Sequence, residues 1–197
     1  MLKPPTRATL MGWGRPADAL INGECLLPGA ISVVLLAAGL LTTAVGAAPA
    51  PQQRAMPCPP AATQQLDGFY RWVLTSADVR AQLASQQQWF TPELAHQLAA
   101  AFALQPSDGR FVDFDPFSNT QVNSYSHRIA GCWQDPGGLL RMRVLVLAGL
   151  GRSRASEQTL DYLLSREGSS WRIADIHYPG AESFSLGTFL QQLLQQP

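Results

Sequence analysis

The chain has 197 residues, with 14 Lys plus Arg balanced by 14 Asp plus Glu for a formal net charge of zero. Its 46% apolar content is enough for a real core, and the missing cationic excess leaves no basic surface to hold phosphate backbones, so nucleic acid is excluded as an expected partner. From residue 48 onward the chain holds 11 Arg, no Lys and 12 acids, a formal charge of −1.

The first element in chain order is a leader. Lys3, Arg7 and Arg15 precede an uncharged stretch from Leu26 to Ala50. Within it, residues 30–41 form an apolar run and Val45-Gly46-Ala47 supplies small residues. A cationic start, an apolar middle and small residues before a cut describe a signal peptide over 1–47, with cleavage after Ala47. About 20 apolar residues also suffice to span a bilayer, so an uncleaved N-terminal anchor is the alternative, and a buried helix of a cytosolic fold is a third. The first two place the remainder outside the cytoplasm, periplasmic or secreted, with the membrane touched only through an uncleaved leader. Cys58 and Cys132 then share a compartment where disulfides persist. They are either a bonded pair or two unrelated thiols.

Residues 48–60 carry Pro49, Pro51, Pro57, Pro59 and Pro60 and read as a spacer. A single domain over 61–197 follows. Leu66, Phe69, Tyr70, Val73 and Leu74 fall on one helix face, with Asp67 and Arg71 spaced to pair on the surface. A second helical stretch starts near Ser76, turns Val79 and Leu83 inward and ends in the glutamine run before Trp89. Thr91-Pro92-Glu93 opens a third, combining a capping hydroxyl, a proline where no amide hydrogen is missed, and an acid at the positive end. Leu94, Leu98 and Phe102 are its buried stripe.

Beyond Pro106 the period changes to two. Leu140, Met142, Val144, Val146 and Ala148 alternate with outward Arg141 and Arg143; Leu160, Tyr162 and Leu164 alternate likewise; and Trp171 to Tyr178 makes a third strand after the Glu167-Gly168-Ser169 turn. These three form an antiparallel meander, with Tyr125–Gly131 a weaker strand candidate. Leu186, Phe189, Leu190, Leu193 and Leu194 mark a short terminal helix that must dock on the sheet. Helices first and meander second define an α+β fold, N-terminal helices packed on a curved antiparallel sheet.

Phe69-Tyr70-Arg71-Trp72, Phe114-Asp115-Pro116-Phe117 with Gln121, and Trp171-Arg172-Ile173-Ala174-Asp175-Ile176 resemble a bacterial family of exported proteins known as domain of unknown function 3828. The resemblance spans roughly residues 62–195. It departs at Val73, where the family pattern has an aromatic, and at Val122, where it has an aspartate. The family is similar in turn to cone-shaped folds of the nuclear-transport-factor-2 and cystatin kind. The resemblance implies a sheet curled around the first helices with a pocket between them, a shape that hosts both enzymes and binders.

Strict alternation puts Trp171, Ile173, Asp175 and His177 on one strand face. With Tyr70 from the first helix, Trp171, Asp175 and His177 are the expected lining of that pocket, binding a small molecule or an envelope protein. An enzyme using Asp175 and His177 as an acid–base pair is the alternative, and an inhibitor or immunity-like protein a second. The bland reading has Asp175 accepting from loop amides and His177 at the strand's end. Asp113, Asp115 and Asn119 are oxygen donors, but no calcium-loop pattern surrounds them, so Asp115-Pro116 is expected to open a turn. No metal motif, dinucleotide fingerprint or G-x-S-x-G is present, and no cofactor or metal is expected.

Overall fold

A computed structural model describes residues 55–105 and 111–195; the leader and the first part of the proline-rich stretch lie outside the described residues. In chain order the elements are β1 (Ala55–Met56), α1 (Pro60–Thr75), α2 (Val79–Gln82), α3 (Pro92–Ala103), β2 (Asn123–Gln134), β3 (Leu140–Gly149), β4 (Ala155–Glu167), β5 (Ser170–Tyr178), β6 (Phe184–Ser185) and α4 (Leu186–Gln195). The strands make one antiparallel sheet in sequential order, β1-β2-β3-β4-β5-β6, curled against the helices. The fold is α+β.

α1 buries the face its apolar spacing marks out: Ala62, Leu66, Phe69, Tyr70 and Val73. Pro60 occupies a first-turn position, where a missing amide hydrogen costs nothing. Gly68 sits mid-helix because a β-carbon there would come within 2.9 Å of the Trp89 ring. The ring lies on the helix at a propensity cost of about 1 kcal/mol relative to alanine. The second helical stretch is only one turn, α2, capped by the Asp78 carboxylate accepting from the Ala81 amide at 3.0 Å. Tight 3-10 turns over Leu83–Ser85 and Gln87–Trp89 follow. Leu83 alone is buried in this segment, too little apolar surface to hold a longer helix. α3 begins as its sequence dictates, with Thr91 Oγ1 accepting from the Leu94 amide at 3.4 Å.

In β3, Leu140, Met142, Val144, Val146 and Ala148 are buried, and β4 adds Leu160, Tyr162 and Leu164 to the same face. Three register shifts bend the sheet. Two lie in β2, between Ser124 and Ser126 and between Ile129 and Gly131; the third lets β5 pass from Ile173 to Asp175 while β4 advances only from Leu164 to Leu163. Extra residues of this kind kink a strand and increase its twist.

The proline-rich spacer is shorter than its composition suggests. Ala55 and Met56 pair with Trp133 and Cys132, and Cys58 is joined to Cys132 by a disulfide with 5.2 Å between the α-carbons. Residues 55–60, read from composition as spacer, are thus tied to the sheet. Backbone pairing and a covalent bond offset the poor folding tendency of the prolines.

The core lies between the concave sheet face and the helices. Phe69 is its centre, with Phe117, Tyr70 and Phe90 ring centroids at 5.0, 5.4 and 5.6 Å in edge-to-face contact. One end of this core is closed by the 111–120 segment, where Val112, Pro116, Phe117 and Ser118 are buried. Its turn is built on Asp115, whose carboxylate accepts from the Phe117 amide at 2.9 Å and from Ser118 Oγ at 2.7 Å. Tyr70 and Tyr178 donate to the carbonyls of Phe117 and Pro116, each at 2.9 Å.

Two outcomes follow from these contacts. Replacing both Cys58 and Cys132 with serine removes a crosslink over 74 residues, and in the chain-entropy account this lowers the unfolding free energy by about 4 kcal/mol in urea titrations. Reductant should shift the unaltered protein by a similar amount. Tyr178→Phe leaves the buried Pro116 carbonyl without its donor and should cost about 1 to 3 kcal/mol in the same titration, with near-ultraviolet circular dichroism reporting the loosened loop.

Candidate functional site

Of the four residues expected to line one pocket, Asp175 and His177 come together, while Tyr70 and Trp171 lie on the core side of the sheet. Tyr70 is 0% exposed between α1 and the sheet. Its hydroxyl gives its one hydrogen to Phe117 and lies 2.7 Å from the Tyr162 hydroxyl, which is then the donor to it. Burial pushes the Tyr70, Tyr162 and Tyr178 phenols well above their ordinary range, so all three stay neutral. The space between sheet and first helix is filled by these rings and their phenylalanine neighbours, not open to a ligand.

The register shift in β5 divides the other three. Trp171 lies opposite Arg166 and Ile173 opposite Leu164, on the core face. Past the extra residue Ala174, the core face is taken by Ile176 opposite Tyr162, while Asp175 and His177 stand opposite Leu163 and Asp161 on the outer face. Strict alternation therefore misplaces Trp171 relative to Asp175 and His177, because one inserted residue reverses every side chain beyond it.

Asp175 and His177 approach to 3.5 Å. The stronger contacts of Asp175 are with backbone: Ile176 at 2.7 Å and Gly187, in the first turn of α4, at 2.8 Å. The carboxylate thus caps α4 from a neighbouring strand, where the helix dipole favours a negative charge. Burial works against ionisation, but His177 and the two amides outweigh it and hold the carboxyl below the ordinary aspartate range.

The same outer face carries an ion-pair ladder that the sequence reading did not assemble. Arg143 clamps Asp161 through Nε at 2.8 Å and Nη2 at 2.9 Å. Arg141 reaches Asp161 at 3.7 Å and donates to Asp135 at 2.8 Å. Although burial opposes it, the Arg141 hydrogen bond keeps Asp135 below its usual range. The sequence held one clue, an aspartate between buried Leu160 and Tyr162 with two outward arginines on the preceding strand. The cross-strand match needed the register.

A second imidazole–carboxylate pair was also missed. His127 Nε2 lies 2.9 Å from Asp67 Oδ1, and its ring stacks on Tyr70 with centroids 4.5 Å apart. Asp67 therefore serves a strand 60 residues away, not the Arg71 that helical spacing offered it.

A depression of about 650 Å³ opens where the end of α1 and α2 face residues 113–125. Val73, Leu74, Phe102, Phe114 and Tyr125 contribute apolar wall; Ser76, Arg80, Asp113 and Thr120 contribute polar atoms. Arg80 anchors one wall, with its guanidinium donating to the Val112 carbonyl and lying 4.7 Å over the Phe102 ring. Asp115 lies at the back with its pKa raised, burial outweighing the Ser118 and Phe117 hydrogen bonds and the nearby Arg80. Asp115 and Asn119 belong to one turn, with the Asp115 amide donating to the Thr120 carbonyl at 2.7 Å and Asn119 at a positive φ of 56°, and Asp113 lies just before it.

Among the described residues no group of three or more His, Cys, Asp or Glu side chains is arranged to hold a metal ion, and no helix is long and apolar enough to cross a membrane. Set against known proteins, the chain matches no family model, no curated protein and no solved structure.

The Asp175 contacts fix a pH dependence. Its folded pKa is depressed, so its contribution is complete above the unfolded aspartate value of about 3.9 and is lost as pH falls through the folded value. Asp175→Ala should cost about 1 to 2 kcal/mol at pH 7, and the gap to the unaltered protein should narrow in melts at about pH 3.

Proposed function

We propose that this is an exported, non-catalytic binding module that takes a small organic molecule in the cleft between α1–α2 and residues 113–125. The observation that carries the reading is that cleft: about 650 Å³, within the range of roughly 300–1,000 Å³ typical of small-molecule sites, and walled by aromatic side chains with a few polar groups among them. A curled antiparallel sheet packed on α1 supports the cone-shaped, nuclear-transport-factor-2-like architecture implied by the resemblance to family 3828. Because aromatic rings fill the cone, the site belongs to its rim.

Export rests on the cationic start, the apolar run and the small residues at 45–47, with the leader either cleaved or kept as an anchor. The Cys58–Cys132 disulfide supports an oxidising, extracytoplasmic compartment. The commitment of Asp175 to the Ile176 and Gly187 amides favours binding over acid–base catalysis by Asp175 and His177, since a general base must be free to take its proton.

A thermal-shift screen of small organic molecules tests the cleft. A ligand at one hundred times its Kd stabilises the native state by about 2.7 kcal/mol, which raises the melting temperature of a domain this size by roughly 5 to 10 °C. Ala77→Trp, at an exposed position on the cleft wall, should abolish the shift while leaving the ligand-free melt near its original value. A ligand that stabilises the tryptophan variant equally would move the site elsewhere.

A further inference from the structure

We propose that the free edge of β2 is a docking site for a short extended segment of a partner protein, one with an aliphatic side chain next but one to a carboxylate. The two edges of the sheet are treated differently. On β5, the Thr91 amide donates to the Ile173 carbonyl at 2.9 Å beside the Phe90–Ile173 bridge, and β6 pairs with His177 and Tyr178. On β2, β1 covers only Trp133 and Cys132. It stops there because Pro57 and Pro59 carry no amide hydrogen and Cys58 is bonded into the sheet. From Asn123 to Gly131, no backbone hydrogen bond forms on the side away from β3 among the described residues.

The shape of that edge limits what can add to it. The register shifts near Tyr125 and Ala130 leave Ser126–Ile129 as its regular stretch. Irregularities at both ends discourage long strand-to-strand association, yet a short stretch of unpaired amides and carbonyls is what an added peptide strand needs. β1 already uses the same edge in this way, and an added segment would continue its line.

Side chains on the outer face define the chemistry of the occupant. Ser126 lies opposite Leu147 and Arg128 opposite Leu145. Serine is too small to cover its leucine, and a depression of about 170 Å³ remains, lined by Ser126, His127, Arg128, Leu145, Leu147 and Glu157. A side chain from an added strand, facing Ser126, would reach across it onto Leu147, and only an aliphatic group gains by that burial. The next side chain on that face would meet Arg128. β2 and β3 carry Arg128, Arg141 and Arg143 and no carboxylate. Arg141 and Arg143 are already bound to Asp135 and Asp161. Arg128 has Glu157 at 3.1 Å, but the two side chains are 62% and 52% exposed, a pair of little strength that an incoming carboxylate can join or replace.

The test is a titration of acetyl-Thr-Glu-Thr-Leu-Thr-Glu-Thr-amide into the nitrogen-labelled full chain, followed through amide resonances. Acids on both sides of the leucine allow either strand direction. The expected result is saturable shifts centred on Ser126–Ile129, weakened about three- to tenfold by Arg128→Glu and by a peptide with serine in place of leucine. The proposal is overturned if no saturable shift appears at millimolar peptide, if the shifts centre elsewhere, or if both changes leave the affinity unaltered. Concentration-dependent self-association that protects the same amides without peptide would also overturn it, since the edge would then serve a second copy.

Discussion

Three buried hydroxyls hold this fold shut. A phenol placed in an apolar interior must find a partner or cost the free energy of its lost water contacts. Tyr70, Tyr162 and Tyr178 come from α1, β4 and β5, and Tyr70 and Tyr178 reach the backbone of the same loop, at Phe117 and Pro116. The loop therefore closes the core as a seated plug, with Phe117 inserted at 5.0 Å from Phe69. Asp115 makes the seating possible by turning the chain within five residues, and its own burial is tolerated because Ser118 and the Phe117 amide satisfy its oxygens.

The outer face follows the opposite rule. Apolar rings are sparse there, and cross-strand ion pairs take their place. Asp161 is buried at 3% exposure and clamped by Arg143, an arrangement in which losing either partner costs more than the pair contributes. Asp175 belongs to this face by register and to α4 by function, so one carboxylate links the last helix to the sheet. The face is thus charged but internally neutralised near β4 and β5. Toward the β2 edge that compensation thins out, leaving Arg128 and two leucines in contact with solvent.

Much of the architecture was legible because period and capping chemistry are local. The faces of α1 and α4, the Thr91-Pro92 start of α3 and the alternation in β3 and β4 all read correctly from spacing. The stretch after Ser76 did not, since helical spacing there lacks the buried surface to sustain more than a turn. The candidate site was less legible. A single extra residue at Ala174 separates Trp171 from Asp175 and His177, and nothing in Trp-Arg-Ile-Ala-Asp-Ile-His announces it. The partners of Asp67, His127, Asp161 and Arg143 lie on other elements, where composition has no reach.

What the sequence determined by itself is therefore the helices α1, α3 and α4, the β3–β4–β5 meander, the α+β class and two cysteines able to bond, all consequences of side-chain period and local backbone preference. Tertiary structure alone decided that the space between the curled sheet and α1 is filled by aromatic rings, that the roomy cleft lies beside residues 113–125, and that Asp175 caps a helix. Those outcomes depend on register, on bulges and on which hydroxyl meets which carbonyl, quantities that exist only once distant segments are in contact.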